Sequence, residues 1–154
     1  MIQQDLLVEL FNVCAERERN GQYASSGILC LTDSRKLPAF VSPMPRDPEP
    51  ATGMAIDHDF LNQLRKACSL NPAIHDGAVL GGYDEALGRY VVTGWSYRLF
   101  APNAGISELM NMGARFHSSL AMSCVDHVDG VITWSPEQAY LFTTGQVKRR
   151  TLHE

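Results

Sequence analysis

The sequence has no pair of cysteines at metal or redox spacing. Cys14, Cys30, Cys68 and Cys124 are scattered, with no C-x-x-C among them. No zinc ribbon, thioredoxin-type centre or disulfide framework is expected, and the thiols read as reduced and mostly buried in a cytosolic protein. The five histidines show no H-E-x-x-H spacing. No uncharged apolar run approaches the ~18 residues that a membrane span needs. No basic stretch precedes an apolar one at Met1-Ile2-Gln3-Gln4-Asp5. Neither a transmembrane helix nor an export signal is therefore expected. Positive charge is not in excess either: 13 Lys and Arg stand against 17 Asp and Glu, a formal charge of −4. That balance argues against a sequence-independent nucleic-acid binder. No internal repeat or low-complexity tract is present.

What is present is an ordinary globular composition, 45% hydrophobic and 19% charged over 154 residues. This is enough chain for one domain with a core that needs no metal or disulfide staple. Leu6, Leu7, Leu10, Phe11 and Cys14 recur at helical spacing and predict a helix over 2–19, stopped at Asn20-Gly21. Gly27 to Leu31 reads as a buried strand, with a return strand expected over Leu37 to Val41. Four prolines, Pro43, Pro45, Pro48 and Pro50, mark 42–53 as a loop. A second helix is expected from Asp57, as N-cap, to Ser69, with Pro72 forbidding its continuation. Strands follow over 76–82 and 88–95, then a loop over 97–105. A helix capped by Ser107 runs to Ser123 with a break at Gly113, and three strands follow over 129–134, 138–143 and 146–152. Thr144-Gly145 suits the last hairpin turn. Helices and strands interleave, so the expected fold is α/β, a single mixed-sheet domain flanked by helices.

Two stretches carry chemistry. Asp76-Gly77-Ala78 places a carboxylate beside a glycine at a strand start, where backbone can approach a ligand closely; on its own the same stretch is a plain turn. Gly113-Ala114-Arg115-Phe116-His117-Ser118 places donors suited to phosphate at a helix start. On its own this is equally a surface arginine and a histidine on a helix flank.

Together the two stretches resemble a family. Pro72-Ala73-Ile74-His75-Asp76-Gly77-Ala78-Val79-Leu80 is similar to the P-L-H-D-G-A-x-x-I segment of diadenylate cyclase domains. Gly94-Trp95-Ser96-Tyr97-Arg98-Leu99 occupies the place of their G-C-x-L-P-L-S loop. The segment from Met112 to Ser123 resembles their L-G-T-R-H-R-A-A-x-G-I-S helix start, and Ile132 to Gln138 their V-V-S-E-E-T-G. The resemblance covers roughly Ala55 to Arg150.

It implies a domain that joins two ATP molecules into cyclic di-AMP and releases pyrophosphate. It implies catalytic roles for Asp76, Arg115 and His117, and a divalent ion, magnesium or manganese, on Asp76 and Glu137. Gly77, Ala78, Gly94, Trp95, Tyr97, Leu99, Gly113, Ala114 and Ser118 would contact nucleotide, with Tyr83, Trp95, Tyr97 and Leu99 the candidates for the base. Two such domains would meet face to face as a homodimer or higher oligomer, with no nucleic acid or membrane partner.

The sequence departs from the family at the helix start. Ala114 stands where the family has Thr, Phe116 where it has His, and His117 where it has the second Arg. Pro136 replaces the first Glu of the last motif. A catalytically degenerate nucleotide sensor of the same fold is the alternative reading. The direction of the Phe116 ring separates the two: facing the phosphate side it would exclude a triphosphate and favour the sensor, and turned into the core, with His117 facing the pocket instead, it would favour a rewired enzyme.

Overall fold

The computed structural model describes residues 2–16, 26–102 and 113–151. Strand β1, Gly27–Thr32, is buried on both faces: Leu29 and Leu31 enter one core cluster and Cys30 the other. A strand that is apolar on both faces needs cover on both, and it lies in the middle of the sheet. On one side β1 pairs in parallel with β3 (Ala78–Asp84), and on the other it pairs antiparallel with β5 (Val128–Trp134). The remaining strands are β2 (Val41–Pro43), β4 (Arg89–Leu99), β6 (Gln138–Thr143) and β7 (Gln146–Thr151). They give a seven-stranded mixed sheet of order β2-β4-β3-β1-β5-β6-β7. The parallel β1–β3 pair requires a crossover, which the segment containing β2 and helix α2 (Phe60–Leu70) supplies.

The amphipathic pattern of the helices decides which face each covers. Helix α1 (Ile2–Glu16) lays Leu6, Leu7, Leu10, Phe11 and Cys14 on one face of the sheet, beside Phe60, Leu61 and Leu64 of α2. There Phe60 meets Trp134 edge to face at 6.2 Å. Helix α3 (Ala114–Met122) covers the other face with Phe116, Leu120 and Met122, against Cys30, Leu80, Tyr97, Val131 and Phe142. The fold is thus the α/β, mixed-sheet domain flanked by helices that the sequence implies. Among the described residues no helix is long and apolar enough to cross a membrane. Burial pushes the Cys30 thiol up to about 12, so this cysteine is an unreactive core residue.

Several boundaries differ from expectation, each for a local reason. The return strand is Val41–Pro43 rather than 37–41, and it pairs with β4, not with β1. Pro43 is tolerated because β2 is an edge strand. Helix α2 begins at Phe60: Asp57 closes the turn before it, its Oδ1 accepting the Asp59 N–H at 2.9 Å. The segment Pro72–Asp76 is a short 3-10 helix capped by Asn71, whose Oδ1 accepts the Ala73 N–H at 3.1 Å, so β3 starts at Ala78 and not at Asp76. Strand β4 does not stop at Trp95. It passes through an irregularity at Ser96, where φ is 58°, and continues to Leu99, so Tyr97 to Leu99 is strand and not loop. The stop at Asn20-Gly21 and the helix start at Ser107 lie outside the described residues.

On the α1 side of the sheet, Tyr90 donates to Asp129 Oδ2 at 2.6 Å, and Gln3 Nε2 donates to the same oxygen at 3.4 Å. Burial holds the Asp129 carboxyl above its ordinary value despite these two donors. A raised carboxyl pKa means that the folded state holds the proton more tightly than the unfolded state does. This contribution to stability is complete below the unfolded carboxyl value and is lost as pH rises through the folded one. Asp129→Asn, which still accepts from Tyr90, is expected to gain stability relative to wild type between pH 4 and pH 7. Melting temperatures of both proteins across that range check it, and a constant difference would refute it.

Candidate functional site

The site region is built from one row of residues across the α3 face of the sheet. Tyr97 pairs with Ala78, Ile28 with Thr133, Thr133 with Tyr140, and Tyr140 with Arg149. The parallel register that places Leu29 opposite Val79 sets Ile28 beside Ala78 and completes the row. It therefore runs Tyr97, Ala78, Ile28, Thr133, Tyr140, Arg149, crossing six strands. Asp76 and Gly77 directly precede Ala78 along the chain, beyond the start of β3. Arg115, in the first turn of α3, lies over its other half and lines a cavity of about 150 Å3 with Phe116, Thr133, Trp134, Ser135, Gln138 and Tyr140. The Asp76 and Arg115 motifs are thus brought to the same end of the sheet. Asp76 leads into β3, and Arg115, on α3, lies beside Thr133 and Ser135 at the end of β5; β3 and β5 are separated by β1 alone, roughly 10 Å at ordinary strand spacing.

Close packing fixes the Asp-Gly-Ala segment. A Cβ at Gly77 would stand 2.6 Å from the Ser96 carbonyl carbon, so only glycine lets this chain lie against β4. The α3 start is equally specific. Gly113 has φ 86°, a conformation that favours glycine, and no side chain caps the helix at that position. The first N–H groups of α3 have no partner within the helix, as at any helix start. Gly113, Ala114 and Arg115 are exposed there, and Ser118 donates to the Arg115 carbonyl at 3.2 Å.

Phe116 is buried against the sheet and also lines the Arg115 cavity. It is 7% exposed and packs edge to face on Tyr140 at 5.1 Å and Phe142 at 5.0 Å. His117 is half-buried, edge-on to Phe116 at 5.8 Å, and does not line the Arg115 cavity. Of the three residues that correspond to the Arg-His-Arg motif, only Arg115 offers a charged donor at the cavity.

Trp95 is not brought to this region. It lies in the core beneath α1 and α2, on the opposite face, and its Nε1 donates to the Ala51 carbonyl at 2.9 Å. Tyr83 belongs to the same side, against Tyr90. Tyr97 does share the site face, but it is only 7% exposed. Its ring lies against Gly94, where a Cβ would come within 2.4 Å of it, and the Arg46 guanidinium sits 4.8 Å from its centroid. Tyr97 therefore shapes the wall instead of offering a stacking surface. Leu99 is half-buried at the β2 edge.

Asp76 is exposed at the end of the 3-10 helix, and Glu137 is exposed in the β5–β6 turn, which the Ser135 N–H closes on the Gln138 carbonyl at 2.8 Å. Two carboxylates suit magnesium or manganese, which take hard oxygen ligands. No group of three or more metal-ligating side chains forms among the described residues. An ion held here would take most of its ligands from substrate phosphate and water, as magnesium commonly does.

Arg46 and Arg149 went unnoticed in the sequence. Arg46 sits in the proline-rich loop and is ion-paired to Glu49 at 3.3 Å, with no motif to reveal it. Arg149 could have been found by counting outward from the Thr144-Gly145 turn, which sets it opposite Tyr140. A larger cavity of about 670 Å3, lined by Phe40, Ala101, Ala121, Val125 and His127 among others, contains none of the expected site residues.

No protein-family model matches the sequence, and a search of curated proteins finds no match. Solved structures do match. One is described as a hypothetical membrane spanning protein from Bacillus cereus, with 16% identity and a TM-score of 0.58 over 97% of this chain and 63% of that one. At this identity the likeness concerns the fold alone, and the chain spans less than two thirds of that structure.

Proposed function

We propose that the chain is a nucleotide-binding domain of the diadenylate cyclase type, condensing two ATP molecules into cyclic di-AMP with release of pyrophosphate. The observation that carries this reading is the meeting of Asp76-Gly77-Ala78 and the Arg115 helix start at one end of one sheet. In the reaction a ribose 3′-oxygen bonds to the α-phosphorus of the other nucleotide. The bond from that phosphorus to the bridging oxygen breaks, pyrophosphate leaves, and the hydroxyl proton passes to solvent.

Arg115 and the first N–H groups of α3 hold phosphate charge, the part of such chemistry that electrostatics governs. Gly77 lets the segment that carries Asp76 pack against β4. Asp76 and Glu137 would hold magnesium or manganese, which would neutralise phosphate charge and acidify the attacking hydroxyl. Two domains face to face, as a homodimer or higher oligomer, supply one nucleotide each.

A second reading, a nucleotide sensor without turnover, is favoured by a specific observation: Ala114, Phe116 and His117 leave Arg115 as the one charged donor of the motif at the cavity. Incubation of concentrated protein with ATP and manganese, followed by chromatography, separates the two. Cyclic product supports the cyclase. A melting temperature raised by ATP without product supports the sensor. Neither effect, at millimolar nucleotide, overturns both.

A further inference from the structure

We propose that Arg149 of β7 works with Arg115 of α3 as a two-guanidinium clamp on the terminal phosphates of a nucleoside triphosphate. This rests on the nucleotide reading above and assigns one end of the ligand within it.

Three observations carry the inference. The first is register. Tyr140 lies under α3, its ring against Phe116, and lines the Arg115 cavity. Arg149 is its direct partner across β6 and β7, and directly paired residues project from the same face with Cβ atoms roughly 5 Å apart. The second is an internal check on that direction. The next residue, Arg150, points the other way and donates to Asn12 Oδ1 on α1 at 3.0 Å, so alternation places Arg149 on the α3 side. The third is charge. In a chain of net charge −4, neither Arg115 nor Arg149 has a carboxylate partner among the described residues.

Arginine forks suit bidentate phosphate contacts. The cavity beside Arg115 is lined by Phe116, Thr133, Trp134, Ser135, Gln138 and Tyr140, and Arg149 stands next to its Tyr140 wall as the cross-strand partner of that residue. At about 150 Å3 this cavity is smaller than the roughly 300 Å3 or more of a complete small-molecule site. It fits one phosphoryl end of a ligand, with the remainder outside it, since Ala78, Tyr97 and Thr133 of the row are buried.

The test is calorimetry with ATP, ADP, AMP and inorganic pyrophosphate on wild type, Arg149→Gln and Lys148→Gln. Lys148 pairs with Leu141 on the opposite face, so its variant removes the same charge from the same strand. Arg149→Gln is expected to weaken ATP about tenfold or more, to leave AMP nearly unchanged, and to retain the wild-type melting temperature. Lys148→Gln is expected to change neither. Equal losses in the two variants would reduce the effect to general charge and overturn the clamp. So would an Arg149→Gln protein that binds ATP as wild type does. If wild type binds pyrophosphate but no nucleotide, and Arg149→Gln loses the pyrophosphate, the anion clamp stands while the nucleotide reading falls. If wild type binds none of the four, both fall.

Discussion

Asp76→Asn is expected to lower manganese-dependent cyclic product by roughly 10²–10³-fold, the scale on which one transition-state contact acts, while leaving the melting temperature of the free protein unchanged. The two halves of this expectation have separate causes. Asp76 is exposed, and no hydrogen bond or ion pair of its side chain occurs among the described residues. An isosteric amide there therefore stays within the roughly ±0.5 kcal/mol typical of surface changes. The amide has the shape of the carboxylate but not its charge, and divalent ions favour the charged oxygen. Product assays over a manganese series, with melting curves in the presence and absence of ATP, read both effects. A variant with the same metal dependence as wild type would place the ion elsewhere.

Phe116→His is expected to destabilise the domain by about 3 kcal/mol, comparable to other losses of a buried aromatic ring. The family resemblance alone would recommend this change together with Ala114→Thr, as restoring two phosphate donors and raising the rate. The position of the ring argues otherwise for one of the two. Phe116 is wedged between Tyr140 and Phe142, and an imidazole in its place would bring polar nitrogens into an aromatic cluster with no partner assigned to them. Ala114 is exposed at the first position of α3, so a threonine there adds a hydroxyl at the phosphate end at little cost. The single variants should separate cleanly. Denaturant unfolding should show the loss for Phe116→His alone, and any gain in product should come from Ala114→Thr. A Phe116→His protein as stable as wild type would mean that the ring is not held by its neighbours.

Much of the architecture was legible because it follows from period and punctuation. Strands β5, β6 and β7 fall where alternating apolar residues and the Thr144-Gly145 turn place them. Helix α3 begins beside Gly113 as the glycine implies. What local pattern could not reveal was pairing. Residues 41–43 form a strand because β4 offers an edge for them to join, a tertiary fact that outweighs the prolines. Trp95 and Tyr97 are two residues apart, and strict alternation would set them on one face. The extra residue at Ser96 turns them to opposite faces, so Trp95 leaves the site. The Asp76 and Arg115 motifs were visible as residues, but their common end of the sheet depended on β1 lying between β3 and β5.

That placement of β1 bears on how the domain must fold. Each half of the row is local: a hairpin of β3 and β4 carries Ala78 and Tyr97, and a meander of β5 to β7 carries Thr133, Tyr140 and Arg149. Both can begin to form early, since their contacts are close in sequence. Joining them needs one strand from the beginning of the chain to zip against both, which closes long loops and is intrinsically slow. The two halves of the site therefore come within reach of each other only in that late step. Protection of amide hydrogens in Gly27–Thr32 should appear together with the competence to bind a ligand, and not before it.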